Sequence, residues 1–391
     1  MIVADRMNIQ YPSHQINTQK NIHLSLVEPR KGPQYLTRYD QLSHISALDE
    51  SEFRYVTSRY AFRTNSYYLS LVNWSGRQDP IRKIIIPDKT ELEDWGRLDA
   101  SHEHLYSKVP GLEHKYPDTA LLLVTDMCGG FCRFCFRKRL FMDDNYEASR
   151  NINPGLEYIR NHKEITNVLL TGGDPLILST ERLRNIIQQI RQIDHVRIIR
   201  IGSKIPAFNP YRILNDARLI AVLKEYSLPT KRIYIMTHFN HPKELTGKAI
   251  ECVNLLVRAG VIVANQTPLL RGVNDNPAVL SELFQKCSFA GLPPYYVFQG
   301  RPTAGNHHFA VPVEQSIAIF EKARKMVAGL AKRARLVMSH ATGKIEIIGK
   351  MNGNTFFRYF RATDPELLGK LFVFKSNPEA YWFDDYAERV A

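Results

Sequence analysis

The sequence predicts an α/β fold built on a parallel sheet, and three observations carry that prediction. From Thr119 onward, short apolar runs alternate with longer stretches of helical spacing. The connections are long enough for crossover helices, which lie against a parallel sheet with right-handed hand. No stretch approaches the ~18 consecutive apolar residues of a membrane span. Strand-like runs fall at Ala120–Val124, Val168–Leu170, Val196–Ile201, Ile233–Met236, Val261–Ala264 and Tyr295–Phe298. Between them, Gly155–His162, Glu181–Ile193, Arg212–Tyr226, Lys243–Ala259, Pro277–Phe284 and Glu314–Leu330 carry apolar residues at threes and fours. In the helix from Lys243, the repeat Leu245, Ala249, Val253, Val257 predicts one buried face. Six such units suit a partial (βα)6, TIM-like barrel over residues 111–345.

The flanks read differently. Residues 1–110 are polar, with helical spacing from Leu42 to Tyr60 and an apolar run from Ile81 to Ile86, and predict a mostly helical N-terminal lobe. Pro110-Gly111 and Tyr116-Pro117-Asp118 make a turn-rich approach to the first strand. Residues 346–391 form a C-terminal extension. Its Phe356, Phe357, Phe360, Phe372, Phe374, Tyr381, Trp382 and Phe383 are apolar enough to dock on the core or on a second subunit.

At 391 residues, with 44% hydrophobic and 23% charged residues, the composition is that of a globular enzyme. The N-terminus lacks the apolar core of a signal peptide. The net charge of +13 attracts anions. Runs such as Arg137-Lys138-Arg139 are short, however, and cations are spread along the chain. That distribution favours a solvated surface or an anionic small-molecule site over a nucleic-acid partner. Five cysteines, three of them in one loop, do not make a disulfide scaffold. Cys252 and Cys287 stand alone and read as core residues.

Cys128, Cys132 and Cys135 follow the first strand directly, on a glycine-bearing loop. The C-terminal end of a strand is where α/β barrels and open sheets hold cofactors. Three thiolates in so short a span are too few for a closed four-ligand site. A zinc ion with His114 or His102 as fourth ligand is one alternative, although zinc motifs usually pair cysteines set well apart. Inert core cysteines are another. A [4Fe–4S] cubane wants four cysteine ligands, and three leave one iron open. The CxxxCxxC spacing resembles the signature of radical S-adenosylmethionine (SAM) enzymes, whose core is the partial barrel expected above. The resemblance implies a [4Fe–4S] cluster, SAM chelated at the free iron, and a 5′-deoxyadenosyl radical on reduction. It also implies a reductant such as flavodoxin or ferredoxin and, because the open cluster is oxygen-sensitive, the cytoplasm.

Thr171-Gly172-Gly173-Asp174-Pro175 follows the second strand, where such enzymes offer backbone acceptors to the SAM amino group. A closer resemblance, to lysine 2,3-aminomutase, runs in order from about 111 to 345. It is carried by Gly111-Leu-Glu-His-Lys-Tyr-Pro-Asp118, Arg200-Ile-Gly-Ser203, Thr237-His-Phe-Asn-His-Pro242, Asn265 to Asp275 and Pro294 to Gln299. It implies an isomerase acting on an amino acid held by pyridoxal 5′-phosphate (PLP), the nitrogen migrating between neighbouring carbons. It assigns Gly172, Gly173, Asp174, Arg200, Ser203, His238, Asn240 and Gln266 to SAM. Lys344, in Ser339-His-Ala-Thr-Gly-Lys344, falls where the family has the PLP lysine at the end of a glycine-rich loop. Lys115 stands where the family has a phosphate-binding arginine. Thr119 occupies the place of a second such arginine, and Phe298 that of a tyrosine. Arg137 matches the arginine that grips the substrate carboxylate. Arg301 replaces an aspartate that holds the lysine ammonium, so the substrate is expected to be an acidic or neutral amino acid. A PLP-independent enzyme that modifies RNA or protein is the alternative reading.

Overall fold

The computed structural model describes residues 32–142 and 147–391. Its strands are β1 (Tyr35–Leu36), β2 (Thr64–Asn65), β3 (Ser107–Val109), β4 (Leu112–Tyr116), β5 (Thr119–Thr125), β6 (Asn167–Gly172) and β7 (Ile198–Ser203), then β8 (Ile233–Thr237), β9 (Ile262–Pro268), β10 (Pro294–Phe298), β11 (Arg335–His340), β12 (Gly343–Met351), β13 (Asn354–Ala362) and β14 (Leu371–Lys375). Strands β3 to β14 form one twelve-stranded sheet in sequence order, and β1 and β2 make a separate pair. From β5 to β11 every neighbouring pair is parallel. The six connections within that run each carry a helix, as the alternation requires. The sheet is open, with β3 and β14 at its edges, so the barrel is partial.

Alternation along the strands separates two faces. Val168 and Leu170 of β6 and Ile199 and Ile201 of β7 are buried in the core shared with the helices. Between them, Leu169, Thr171, Arg200 and Gly202 are half-buried on the inner face. The helix over Lys243–Ala259 begins later than its periodicity suggests, at Gly247, with Thr246 accepting from the Ala249 N–H. Its buried face is Ala249, Cys252, Val253 and Leu256, while Val257 is 44% exposed. Steps of four drift around a helix of 3.6 residues per turn, so the fourth member of the repeat leaves the core. The stretch Arg212–Tyr226 is broken at Asp216, whose carboxylate caps the N–H groups of Arg218 and Leu219 and starts a new helix.

Both flanks extend the sheet. The turn-rich approach to β5 is itself the antiparallel pair β3–β4. The C-terminal segment is an antiparallel meander, β12–β13–β14. Met351 pairs with Asn354, so Asn352 and Gly353 form a two-residue hairpin at φ 50° and 72°. Phe357, Phe374, Trp382 and Tyr386 join the core of the barrel rather than a core of their own. The N-terminal residues have a second core, centred on Phe53, Tyr68, Ile81 and Ile85, against which Cys132 and Phe134 pack.

Candidate active site

The cysteine loop is held from the N-terminal lobe. Arg63 donates to the Cys128 carbonyl at 2.8 Å, and Asn65 donates to the Gly129 carbonyl at 3.2 Å. The N–H groups of Phe131 and Arg133 donate to the carbonyls of Arg63 and Ile84. Arg133 forms a bidentate pair with Glu91 at 2.8 Å through both contacts, and both side chains are fully buried. All three cysteines are free thiols, and burial, the dominant influence on each, raises their pKa. His114, one of the candidate zinc ligands, is taken up by Tyr158 and the Pro117 carbonyl. Among the described residues, no three His, Cys, Asp or Glu side chains converge as ligands of a single ion. A cubane asks for something else: soft thiolates, each on its own iron. Three thiols on one loop at a strand end fit that demand.

Gly172 and Gly173 are explained by this loop. Gly172 has φ 104°, and a Cβ there would lie 2.4 Å from the Thr125 carbonyl oxygen; one on Gly173 would lie 2.2 Å from that of Met127. The N–H groups of Gly173 and Asp174 donate to those same two carbonyls. The turn is therefore pressed onto the backbone that leads into the cysteines, an approach only glycine allows. The Asp174 carboxylate faces inward and accepts from Ser203 Oγ and from the N–H groups of Leu176, Lys204 and Ile205. Burial pushes its pKa up to about 6.

The remaining residues assigned to SAM fall in three places. Gln266 and His238 meet on the inner face, Nε2 to Nε2 at 2.8 Å. Burial, with Lys204 nearby, pushes the His238 pKa down to about 3, so the ring is neutral and its Nε2 accepts. Asn240 is fully buried in a network that sequence reasoning missed. Its Oδ1 accepts from Lys204 Nζ, which also bonds Glu244, and its Nδ2 donates to Thr267. Arg200 stands apart, bonded to Asn167 and lying among Arg361, Tyr295 and Tyr296.

Lys344 lies on strand β12, not in a loop, opposite Ser339 on one side and Arg361 on the other. The strand is set by the short Ala341-Thr342 turn that folds β12 back on β11. Its ammonium nitrogen sits 4.2 Å from the centre of the Tyr296 ring and 5.1 Å from that of Phe298. Burial first, then Arg200, Arg361, Arg301 and Lys115 in turn, hold its pKa well below the usual lysine range. The shift makes the amine easier to deprotonate, which favours Schiff-base formation. Lys115 donates to the His340 carbonyl, and burial brings its pKa down to about 8. Arg361 donates to Asp118 and, at 3.1 Å, to Thr119 Oγ1. A half-buried amine surrounded by cations fits PLP, whose phosphate is an anion and whose aldehyde takes a lysine.

Arg137 and Arg301 converge on a carboxylate that the sequence did not flag. Glu103 accepts from Arg137 Nε and Nη2 at 3.0 Å each, from Arg139 Nη2 at 2.8 Å and from Arg301 Nη1 at 3.4 Å. The three guanidinium groups hold its pKa far below the carboxylate range against the effect of burial. Arg137 also donates to Thr171 at 3.0 Å, on the inner face of β6. Arg301 stacks 3.7 Å over the Phe136 ring. Glu113, 3.5 Å from Arg137, has its pKa raised to about 7 by burial.

A three-cysteine loop at the end of the first parallel strand of an open barrel, pinned to a glycine turn, is the arrangement of a radical SAM enzyme. Residues 122–283 match the family model described as the Radical SAM superfamily. A protein of Aquifex aeolicus (strain VF5), carrying L-lysine 2,3-aminomutase as a provisional name, is 56% identical over 358 residues, spanning 91% of this chain and 96% of the relative. The L-lysine 2,3-aminomutase of Clostridium subterminale is 43% identical over 67% of this chain and 62% of its own length. The glutamate 2,3-aminomutase of Clostridioides difficile (strain 630) is 34% identical over 76% of this chain and 70% of its own. The chain belongs to the lysine 2,3-aminomutase family of radical SAM enzymes. It is an isomerase whose cofactors are a [4Fe–4S] cluster and SAM, and it acts on a small molecule with the help of a reductant. Among the described residues, no helix is long and apolar enough to cross a membrane.

Proposed function

We propose that this enzyme is a PLP-dependent amino acid 2,3-aminomutase whose substrate is acidic or neutral rather than lysine. The observation that carries the reading is Lys344, a half-buried amine on β12 that lies over Tyr296 and Phe298 with Arg361 opposite it in the ladder. When bound, the cluster with SAM supplies a carbon-centred radical, and PLP supplies the carrier on which an amino group can migrate. Cys128, Cys132 and Cys135 would hold the cluster. The Gly172-Gly173 turn, His238 and Gln266 are the residues best disposed to line the SAM site, with Asp174 and Ser203 fixing the turn from behind. Lys344 would hold the PLP aldehyde, and Lys115 its phosphate.

Arg137 and Arg301 govern the substrate. Arg137 reaches the inner face at Thr171, and both arginines already pair with a carboxylate, that of Glu103. The Glu103–Arg301 contact is the longest of the set, and Arg301 keeps further donors for a second carboxylate. A lysine ammonium brought to Arg301 would meet a like charge in a desolvated site, which rejects it. The relative named glutamate 2,3-aminomutase supports an acidic substrate within the same family. A flavodoxin or ferredoxin would supply the electron, in the cytoplasm, where an open cluster survives.

The test is anaerobic turnover with glutamate, alanine or lysine, each deuterated at C3, in the presence of SAM, PLP and reductant. The expected result is deuterium in 5′-deoxyadenosine and a β-amino acid product from glutamate or alanine, with lysine lowest. Lysine ranking first would discard the assignment of Arg301. Deuterium transfer with no migrated amino group would discard the aminomutase.

A further inference from the structure

Thr119 stands where the family resemblance calls for an arginine, and threonine carries no charge to hold a phosphate. The structure brings another arginine to that place. Arg361 lies on β13, 242 residues later in the chain, and its Nη2 donates to Thr119 Oγ1 at 3.1 Å. Its guanidinium carbon sits 4.1 Å from the centre of the Tyr116 ring. Asp118 holds the same Nη2 from the solvent side, being 62% exposed itself. The contacts found for Arg361 leave Nε and Nη1 as further donors.

The backbone makes the placement specific. Lys344 and Arg361 are direct cross-strand partners in the β12–β13 ladder. Like charges directly opposite each other destabilise a sheet unless something of opposite sign lies between or beside them. Arg200, on which Arg361 is the strongest charged influence, and Lys115, one of the cations acting on Lys344, complete the group. Among the described residues, Asp118 is the one carboxylate in hydrogen-bond contact with any of these four cations. Glu103, Glu113 and Asp99 act on Lys115, but none of them bonds Lys344, Arg361 or Arg200, and an exposed carboxylate screened by water does not balance those three on the inner side. A bound dianion would.

We propose that Arg361, delivered by the C-terminal meander, is the phosphate anchor of the PLP site and stands in for the arginine absent at Thr119. The inference rests on the PLP reading above and adds the residue and the strand that make it work. It also gives the C-terminal extension a function: β13 is part of the cofactor site, not a cover over the barrel.

The experiment compares PLP with pyridoxal, which has the same aldehyde and no phosphate. Full-length protein carrying its cluster is titrated with each, following the Schiff-base absorbance and the pyridoxyl-lysine trapped by borohydride. Wild type is expected to prefer PLP strongly. Arg361→Gln is expected to lose roughly tenfold to a hundredfold in PLP affinity, the worth of a charge-assisted hydrogen bond, while its pyridoxal affinity stays within about twofold, the spread allowed for an interaction removed elsewhere. Arg361→Lys should recover part of the preference. Asp118→Asn breaks the surface pair but keeps the guanidinium, and should retain the preference. Arg361→Gln with an undiminished preference for PLP would overturn the proposal, as would Asp118→Asn losing as much as Arg361→Gln. If wild type forms no Schiff base with either aldehyde, the PLP reading itself falls, and that outcome is distinct from both.

Discussion

Around the cysteine loop, buried charges come with their partners: Arg133 lies on Glu91, and Lys204 on Glu244. Around Lys344 the balance runs the other way, with Arg200, Arg361, Arg301 and Lys115 all pressing on one amine. The first region is complete in the polypeptide, so the loop can be held rigid before any cofactor arrives. The second carries more cations than the carboxylates that bond them, Asp118 on Arg361 and Glu103 on Arg301, an imbalance that a bound anion would relieve. The arginine cluster on Glu103 lies between these limits, since one carboxylate is shared by Arg137, Arg139 and Arg301. On the proposed function, preorganisation for a metal cluster and preorganisation for an anionic cofactor look different in the same barrel.

The contrast can be broken most severely at Lys344. Lys344→Ala should abolish isomerisation, while SAM cleavage to 5′-deoxyadenosine, measured with reductant alone, persists. Loss of both activities together would mean that the two regions are not separable. Next comes the rigid side. Arg133→Ala leaves Glu91 buried without its bidentate partner, and breaking such a pair costs about 3–5 kcal/mol. The variant should melt lower and retain less iron per chain after anaerobic reconstitution. Unchanged iron content would show that the lobe does not hold the loop.

A smaller effect follows from pH. Lys115 has its pKa lowered to about 8 in the folded chain, against about 10.4 when free. Between those values the unfolded chain binds a proton that the folded chain does not, so stability rises with pH across that window and this contribution is flat below it. Denaturant midpoints of the PLP-free protein should therefore climb between about pH 8 and 10, and the climb should be shallower in Lys115→Gln. An identical slope in the variant would remove Lys115 from the cation group. Smallest is the hairpin that carries Arg361. Asn352 sits at φ 50°, and Asn352→Ala should cost about 1–2 kcal/mol, read as a lowered denaturant midpoint.

The cysteine loop and the six βα units were legible because their signals are local. A strand, three thiols and a glycine turn follow one another in sequence, and apolar periodicity reports each helix. The C-terminal meander was legible in principle, since Asn352-Gly353 between alternating residues is a hairpin signal. The aromatic density of the segment drew attention instead to docking. Arg361 could not have been assigned, because its meaning depends on Thr119, 242 residues away, and on a register that only the folded sheet sets. Glu103 was hidden in the same way, on a short helical turn of the polar lobe with no motif around it.

The most direct measurement is borohydride trapping of the anaerobically prepared, PLP-loaded enzyme, followed by peptide mapping. The account predicts one pyridoxyl group per chain, on Lys344. A pyridoxyl group on another lysine, or none, would contradict it.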